Sequence, residues 1–434
     1  MNAITDRWLQ EGGNRGVLRL VTAGSVDDGK STLIGRLLLD SNGVHDDQLQ
    51  AVAKSRYSRA PKDTLDLALL TDGLEAEREQ GITIDVTYRY FATPARKFII
   101  ADAPGHEQYT RNMATGASTA DAAIILIDAA RAATGELLPQ TKRHAMLARL
   151  LGLRHTIVAV NKMDQVQWDQ SVFERIQTAC AELAQRLELP ALTCVPLSAL
   201  TGDNVVQASA HMPWYSGLPL RALLESLPVG VEAPQEEARF FVQWVIRHEG
   251  STVQAFRGYA GQLQGAAWHV GDRVQVLPSG ESACIRALYR GEQSLDHAQP
   301  GDSITVVLDR EIDVSRGDLL VSGGTPPSLA RDFAADLCWL DRQALQPARW
   351  YWLKQGSRLT QARVTAIDSR RDIHELRSVP GQGQLTGNDI GRVQIRTRDA
   401  LALDAYDVQR STGAFILIDP TSHQTAAAGM VRLT

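Results

Sequence analysis

Between residues 17 and 196, short and nearly unbroken apolar runs alternate with stretches of helical spacing. The runs cover 17–23, 98–101, 122–127, 156–160 and 192–196. Apolar runs of this length suit strands buried on both faces, as in a parallel sheet. After Gly29, Leu33 and Leu37 sit four apart, as do Ile34 and Leu38, and another helix is expected over 172–187. The alternation predicts a doubly wound α/β domain with a mostly parallel sheet. The pattern changes near Pro228. Residues 228–237, with two prolines and three glutamates, read as a linker. Beyond it come short alternating runs punctuated by glycine, at 240–246, 257–262, 273–277 and 303–308. Pro326-Pro327 marks a second break, and strand-like runs resume at 334–340, 350–354, 359–366, 390–395 and 415–418. Such spacing predicts small barrels. The expected organisation is an α/β domain over 1–230, a β-barrel over 237–327 and a second over 330–434, with no sequence repeat between the barrels.

Bulk properties narrow the class. A chain of 434 residues is too long for one ordinary core, and 44% apolar content is globular. A net charge of −5 argues against a protein that coats nucleic acid or anionic membrane. Cys180, Cys194, Cys284 and Cys338 form no CxxC pair, which fits thiols in a reducing cytosol better than a zinc site or disulfide framework. Residues 1–19 lack the apolar segment of a secretory signal, and no run reaches the roughly 18 apolar residues of a membrane span. A cytoplasmic protein is expected.

Chemistry is concentrated at the ends of the predicted strands. Gly24-Ser25-Val26-Asp27-Asp28-Gly29-Lys30-Ser31, with Thr32 following, matches the phosphate-loop pattern GxxxxGK[ST] between a strand and a helix. Its glycines let backbone N–H groups wrap phosphates, and the helix N-terminus adds its positive end. Lys30 is suited to the β and γ phosphates, and the Ser31 hydroxyl to Mg2+. Asp102 closes a strand in Asp102-Ala103-Pro104-Gly105-His106, where its carboxylate suits Mg2+ held through water and the Gly105 N–H suits the γ phosphate. Asn161-Lys162-Met163-Asp164 ends another strand. A carboxylate at Asp164 can accept both the N1–H and the N2 amino group of guanine, a donor pair that adenine lacks. Backbone N–H groups of Ser198-Ala199-Leu200 suit guanine O6. Each of the last three signals alone is weak. In this order at strand ends, the four together point to GTP.

With Gly81-Ile82-Thr83-Ile84-Asp85 after Glu77-Arg78-Glu79, the sequence resembles the translational GTPases, including elongation factor Tu. The resemblance implies that Thr83 completes the Mg2+ shell and closes over the γ phosphate. It implies that His106 orients the attacking water, with Val26 and Ile82 as the apolar pair gating it. A lone histidine is ordinarily a solvated or hydrogen-bonded side chain; the Asp-x-Pro-Gly-His frame gives it this role. Residues 72–85 and 102–113, Met212-Pro213-Trp214-Tyr215-Ser216-Gly217, residues 413–419 and Ala427-Ala428-Gly429-Met430 resemble, more narrowly, the large subunit of the GTP-dependent sulfate adenylyltransferase, across almost the whole chain. The loop from Asp128-Ala129-Ala130-Arg131 to Pro139-Gln140-Thr141 is longer than that family's usual one.

The resemblance implies a GTPase that drives formation of adenylyl sulfate and pyrophosphate from ATP and sulfate on a separate, smaller catalytic subunit, in a heterodimer or higher assembly. No nucleic-acid or membrane partner is expected. Some members carry a fused adenylylsulfate kinase; with one phosphate loop, this chain is expected to lack that activity. The competing expectation is a tRNA-delivering elongation factor, with the same fold and GTP site. Trp350-Tyr351-Trp352 and Arg370, Arg371, Arg377, Arg392, Arg396 and Arg398 could suggest RNA stacking. A barrel strand with core aromatics beside a solvated basic face is the plainer expectation.

Overall fold

The computed structural model describes residues 16–41, 43, 66–71, 86–104, 110–228, 237–248, 256–372, 376–381 and 384–433. Two compact units divide between Gly230 and Val231. The first is built on strands β1 (Val17–Ala23), β2 (Thr87–Ala92), β3 (Lys97–Asp102), β4 (Ala122–Asp128), β5 (His155–Asn161) and β6 (Leu192–Pro196). They run in the order β2-β3-β1-β4-β5-β6. All neighbours are parallel except the β2–β3 pair. All seven residues of β4 are buried, as a strand covered on both faces requires.

Helices α1 (Lys30–Asp40), α2 (Thr110–Ser118), α3 (Pro139–Leu150), α4 (Gln170–Leu187) and α5 (Leu220–Ser226) accompany this sheet. In α1 the apolar face predicted by the spacing, Leu33, Ile34, Leu37 and Leu38, is buried in one core with Leu20, Ile100, Ile124 and Leu126. Helix α4 starts where the Asp169 carboxylate accepts the Ser171 N–H at 2.7 Å, a side-chain cap. It buries Val172, Phe173, Ile176, Cys180, Leu183 and Leu187 along one face. Strand order reverses at β1, which has β3 on one side and β4 on the other. Ligands of open α/β sheets bind outside the strand ends at such a point, and β1 leads directly into the phosphate loop.

Among its described residues the second unit is all β apart from one short turn of helix. Strands β7 (Ala238–Phe241), β8 (Trp244–His248), β9 (Phe256–Gly265), β10 (Trp268–His269), β11 (Arg273–Leu277), β12 (Ser282–Arg290), β13 (Gln293–Leu295), β14 (His297–Ala298), β15 (Ser303–Leu308) and β16 (Leu319–Ser322) come first. Pairing runs β11-β16-β7-β9-β15-β12 and returns to β11, which closes a six-stranded ring. The single strand expected at 240–246 is two. At the break the Val242 N–H donates to Asp318 O and the Gln243 N–H to Ala260 O, so the chain changes partners between β7 and β8. Phe240 and Trp268, 5.4 Å apart, fill the barrel, and the Trp268 indole N–H is satisfied by Ser322 Oγ at 2.6 Å.

The third sheet comprises β17 (Ser328–Trp339), β18 (Tyr351–Gln355), β19 (Arg358–Arg371), β20 (Ser378–Pro380), β21 (Ile390–Leu403), β22 (Ala414–Ile418) and β23 (Thr425–Arg432). The ring β18-β22-β23-β17-β21-β19 closes on β18. Tyr351 is a core residue, packed edge-on to Trp339 at 5.7 Å. Trp350 is partly exposed, with the Arg363 guanidinium 5.1 Å from its ring. Arg392 and Arg396 are paired to Asp336 and Asp332 at 2.5 and 2.6 Å. These residues behave as a barrel strand and a solvated, charge-paired face. The two barrels touch through a small apolar cluster of Leu277, Leu319, Val321 and Ala402 with Phe241. Polar ties join them too: Ser357 Oγ donates to Val242 O at 2.8 Å, and Arg239 binds Asp404. Among the described residues, no helix is long and apolar enough to cross a membrane.

Candidate nucleotide site

The phosphate loop hangs from the end of β1. Asp27 and Gly29 both take positive φ, 69° and 86°, and this left-handed backbone bends the loop into α1. At Gly29 a side chain would also collide with the Asn161 amide, so the residue is glycine for two reasons. The turn closes on itself: Asp28 N–H donates to Ser25 O at 3.2 Å, and Ser25 N–H donates to Asp28 Oδ2 at 2.6 Å. Burial pushes the Asp28 carboxyl up to about 6, against the opposing pull of the Ser25 N–H and the Arg131 guanidinium.

Lys30 is buried at the first position of α1, with its ammonium 2.5 Å from Asp102 Oδ1 at the end of β3. Ser31 and Thr32 follow on the same turn. Asn161, at the end of β5, joins two loops through one amide. Its Nδ2 donates to Asp28 O at 2.8 Å, and its Oδ1 accepts the Ala199 N–H at 2.9 Å. Lys162, in the left-handed region at φ 62°, sends its ammonium to Asp128 Oδ2 at 2.8 Å. Asp164 Oδ1 is buried without a hydrogen-bond partner. A buried carboxylate oxygen in that state is a vacant acceptor, and guanine N–H groups would satisfy it. The Ser198 N–H donates to Asp203 O at 3.1 Å and the Ala199 N–H to Asn161 Oδ1, so a base oxygen at these two residues would share donors already committed to protein. Thr83, Gly105 and His106, and Ile82 with them, lie outside the described residues.

Three residues that the motifs did not single out also build this site. Asp128 accepts the Ala130 and Arg131 N–H groups through Oδ1 while binding Lys162 through Oδ2. Arg131 donates to Val26 O at 3.0 Å and sits 3.5 Å from Asp28 Oδ1, so the long loop after β4 braces the phosphate loop. Arg36 of α1 donates to Ala199 O and Leu200 O. The only signal for Asp128 and Arg131 was their place at the start of the long loop; Arg36 carried none.

A phosphate loop and the 161–164 and 198–200 loops at the strand ends of a mostly parallel sheet, in a chain that goes on to two closed barrels, define a GTPase of the translation-factor type. The family "Elongation factor Tu GTP binding domain" matches residues 15–243, and "GTP-eEF1A C-terminal domain-like" matches 332–432. "Sulfate adenylyltransferase subunit 1" of Colwellia psychrerythraea is 46% identical over 425 residues, covering 98% of this chain and 89% of that protein. The chain belongs to the sulfate adenylyltransferase subunit 1 family. The "Bifunctional enzyme CysN/CysC" of Mycobacterium tuberculosis is 48% identical over 416 residues, 96% of this chain and 67% of that protein. The Saccharomyces cerevisiae Ski7 GTPase-like domain, solved bound to GTP, shares the fold with a TM-score of 0.53 at 15% identity and full coverage of both chains.

Proposed function

We propose that this chain is the GTP-hydrolysing regulatory subunit of a two-part sulfate adenylyltransferase, in which GTP hydrolysis drives formation of adenylyl sulfate and pyrophosphate from ATP and sulfate on a smaller catalytic partner. The supporting observation is one frame, Lys30, Asp102, Asn161 and the unpartnered Asp164 Oδ1 around a single phosphate loop. It occurs in a chain similar over 98% of its length to a protein named as subunit 1 of that enzyme. A subunit needs a counterpart, and residues 237–434 offer barrels with no second phosphate loop.

The oxygen donors of Ser31 and Asp102 fit Mg2+, a hard cation that prefers carboxylate, hydroxyl and water. Ser31, Asp102 and Thr83 would hold it, and it would neutralise charge on the β and γ phosphates. The loop N–H groups and Lys30 bind and orient those phosphates. Asn161 couples the phosphate loop to the base loops, and Asp164 selects guanine. His106 orients the attacking water, and Val26 and Ile82 act as the apolar pair that gates it. Thr83 and Gly105 follow the γ phosphate, so hydrolysis releases the segments that carry them and alters the geometry presented to the partner.

The test is reconstitution with the smaller adenylyltransferase subunit from the same genome. Pyrophosphate release from ATP and sulfate is followed with GTP, GDP or a non-hydrolysable analogue. GTP alone should sustain release, and ATP with sulfate should raise GTP turnover. Robust adenylyl sulfate formation by the isolated chain would sink the two-subunit assignment. GTP turnover indifferent to ATP and sulfate but stimulated by ribosomes would make it an elongation factor.

A further inference from the structure

The turn after Asp164 is costly on its own. Gln167 and Trp168 both adopt left-handed backbone, φ 53° and 60°, a region bulky side chains rarely occupy. What holds it comes from the segment that follows Ser198-Ala199-Leu200. The Trp214 indole Nε1–H donates to Trp168 O at 3.1 Å. The His211 ring stacks on Trp168, with centroids 4.8 Å apart and planes within 13°. His211 Nδ1 also lies 3.2 Å from Asp203 Oδ1, which accepts the Ser209 hydroxyl at 2.5 Å. Asp203 in turn gives its backbone oxygen to the Ser198 N–H, and its Oδ2 accepts the Thr201 hydroxyl at 2.6 Å. Burial of Asp203 is outweighed by the Ser209, Thr201 and His211 hydrogen bonds, which hold its carboxyl below the usual range. One side chain, His211, thus touches the supports of both loops assigned to the base.

We propose that Trp168, His211 and Trp214 form a clasp of positioning residues that locks the two base loops in register and thereby sets selectivity for guanine over bases lacking its N2 amino group, an assignment that rests on the guanine frame proposed above. None of the three needs to touch nucleotide. The clasp acts through Asp164, reached by the Gln167 and Trp168 N–H groups, which donate to Asp164 O and Met163 O at 3.3 and 2.9 Å. If the turn relaxes, the Asp164 carboxylate loses its alignment to the amino group more than the phosphate loop loses its grip.

The experiment compares GDP with inosine diphosphate, which lacks the N2 amino group, by titration calorimetry on the full chain. Trp214→Phe keeps an aromatic ring and removes the N–H. His211→Ala, at an exposed position, removes the stack and the Asp203 contact. Both variants are expected to bind GDP more weakly while inosine diphosphate changes less, shrinking the GDP preference by about three- to tenfold. Equal losses for both nucleotides, or an unchanged ratio in both variants, would overturn the clasp. Asp164→Asn in parallel separates the two layers. If it leaves the GDP preference intact, the guanine frame is wrong; if it abolishes that preference while the clasp variants do not move it, only the clasp is wrong.

Discussion

Arg239 and Asp404 form a two-pronged ion pair across the seam between the barrels: Nε donates to Oδ2 at 2.9 Å and Nη2 to Oδ1 at 3.2 Å. Arg239 is almost fully buried and also donates to Thr325 O and Ala238 O, while Asp404 accepts the Thr412 hydroxyl. Each guanidinium nitrogen has an acceptor, so removing one partner strands a buried charge. Arg239→Ala is expected to destabilise the barrel pair by about 3–5 kcal/mol. Replacing both, as Arg239→Met with Asp404→Leu, should restore most of that loss. Urea unfolding of the two variants checks both statements.

Asp164→Asn is expected to weaken GTP binding on the order of 100-fold or more and to favour xanthosine triphosphate, whose extra carbonyl accepts from an amide where guanine donates. Competition binding with both nucleotides decides it. An unchanged preference for GTP removes Asp164 from the base site.

His106→Ala is expected to leave GTP affinity nearly intact and to slow turnover on the order of 100-fold, as befits a group acting on water. Single-turnover hydrolysis beside a binding titration distinguishes the two effects. A fall in affinity with turnover per bound GTP preserved would assign His106 to nucleotide binding.

Asp28 makes stability depend on pH. Burial holds its folded-state value near 6, above the ordinary 3.8, so the protonated carboxyl favours the fold. That contribution is fully present below about pH 3.8 and is lost as pH rises through about 6. Asp28→Asn keeps an oxygen for the Ser25 N–H without the charge. It is expected to raise stability at pH 7.5 by up to about 3 kcal/mol, a figure already net of the attraction to Arg131 and Lys162. The gain should shrink as pH falls towards 4. Denaturation midpoints across this range provide the measurement, and a gain that grows in acid contradicts it.

Periodicity located the strands that are apolar throughout, such as β4, because burial on both faces writes itself into every position. It did not find β2, whose Thr-Tyr-Arg-Tyr-Phe-Ala is an edge strand with alternate residues half exposed. Nor did it find β23. Thr-Ala-Ala-Ala-Gly-Met-Val-Arg has little intrinsic strand preference; it is held between β17 and β22, and the Phe415 ring occupies the space a side chain at Gly429 would need. The phosphate loop and the Asn-Lys-x-Asp frame are legible because they are local. Asn161 gripping Asp28, Arg131 gripping Val26 and Trp214 gripping Trp168 join residues 133, 105 and 46 positions apart, distances no local pattern encodes.

Closure of the two rings limits how other proteins can meet this half of the chain. Each ring strand has a hydrogen-bonded neighbour on both sides, so among the described residues an extended peptide finds only short open rows of N–H and C=O groups, such as the outer side of 328–333, rather than a whole free edge. Among the described residues the strands lying off the rings are short. Gln293–Leu295 and Ser378–Pro380 have three residues each, the latter ending in proline, and Trp244–His248 has five. Strand addition is therefore a poor route onto the barrels, for a partner subunit and for a second misfolded copy alike. Recognition there falls to side chains and loops, which can diverge from one family member to the next while the hydrogen-bonded rings stay the same.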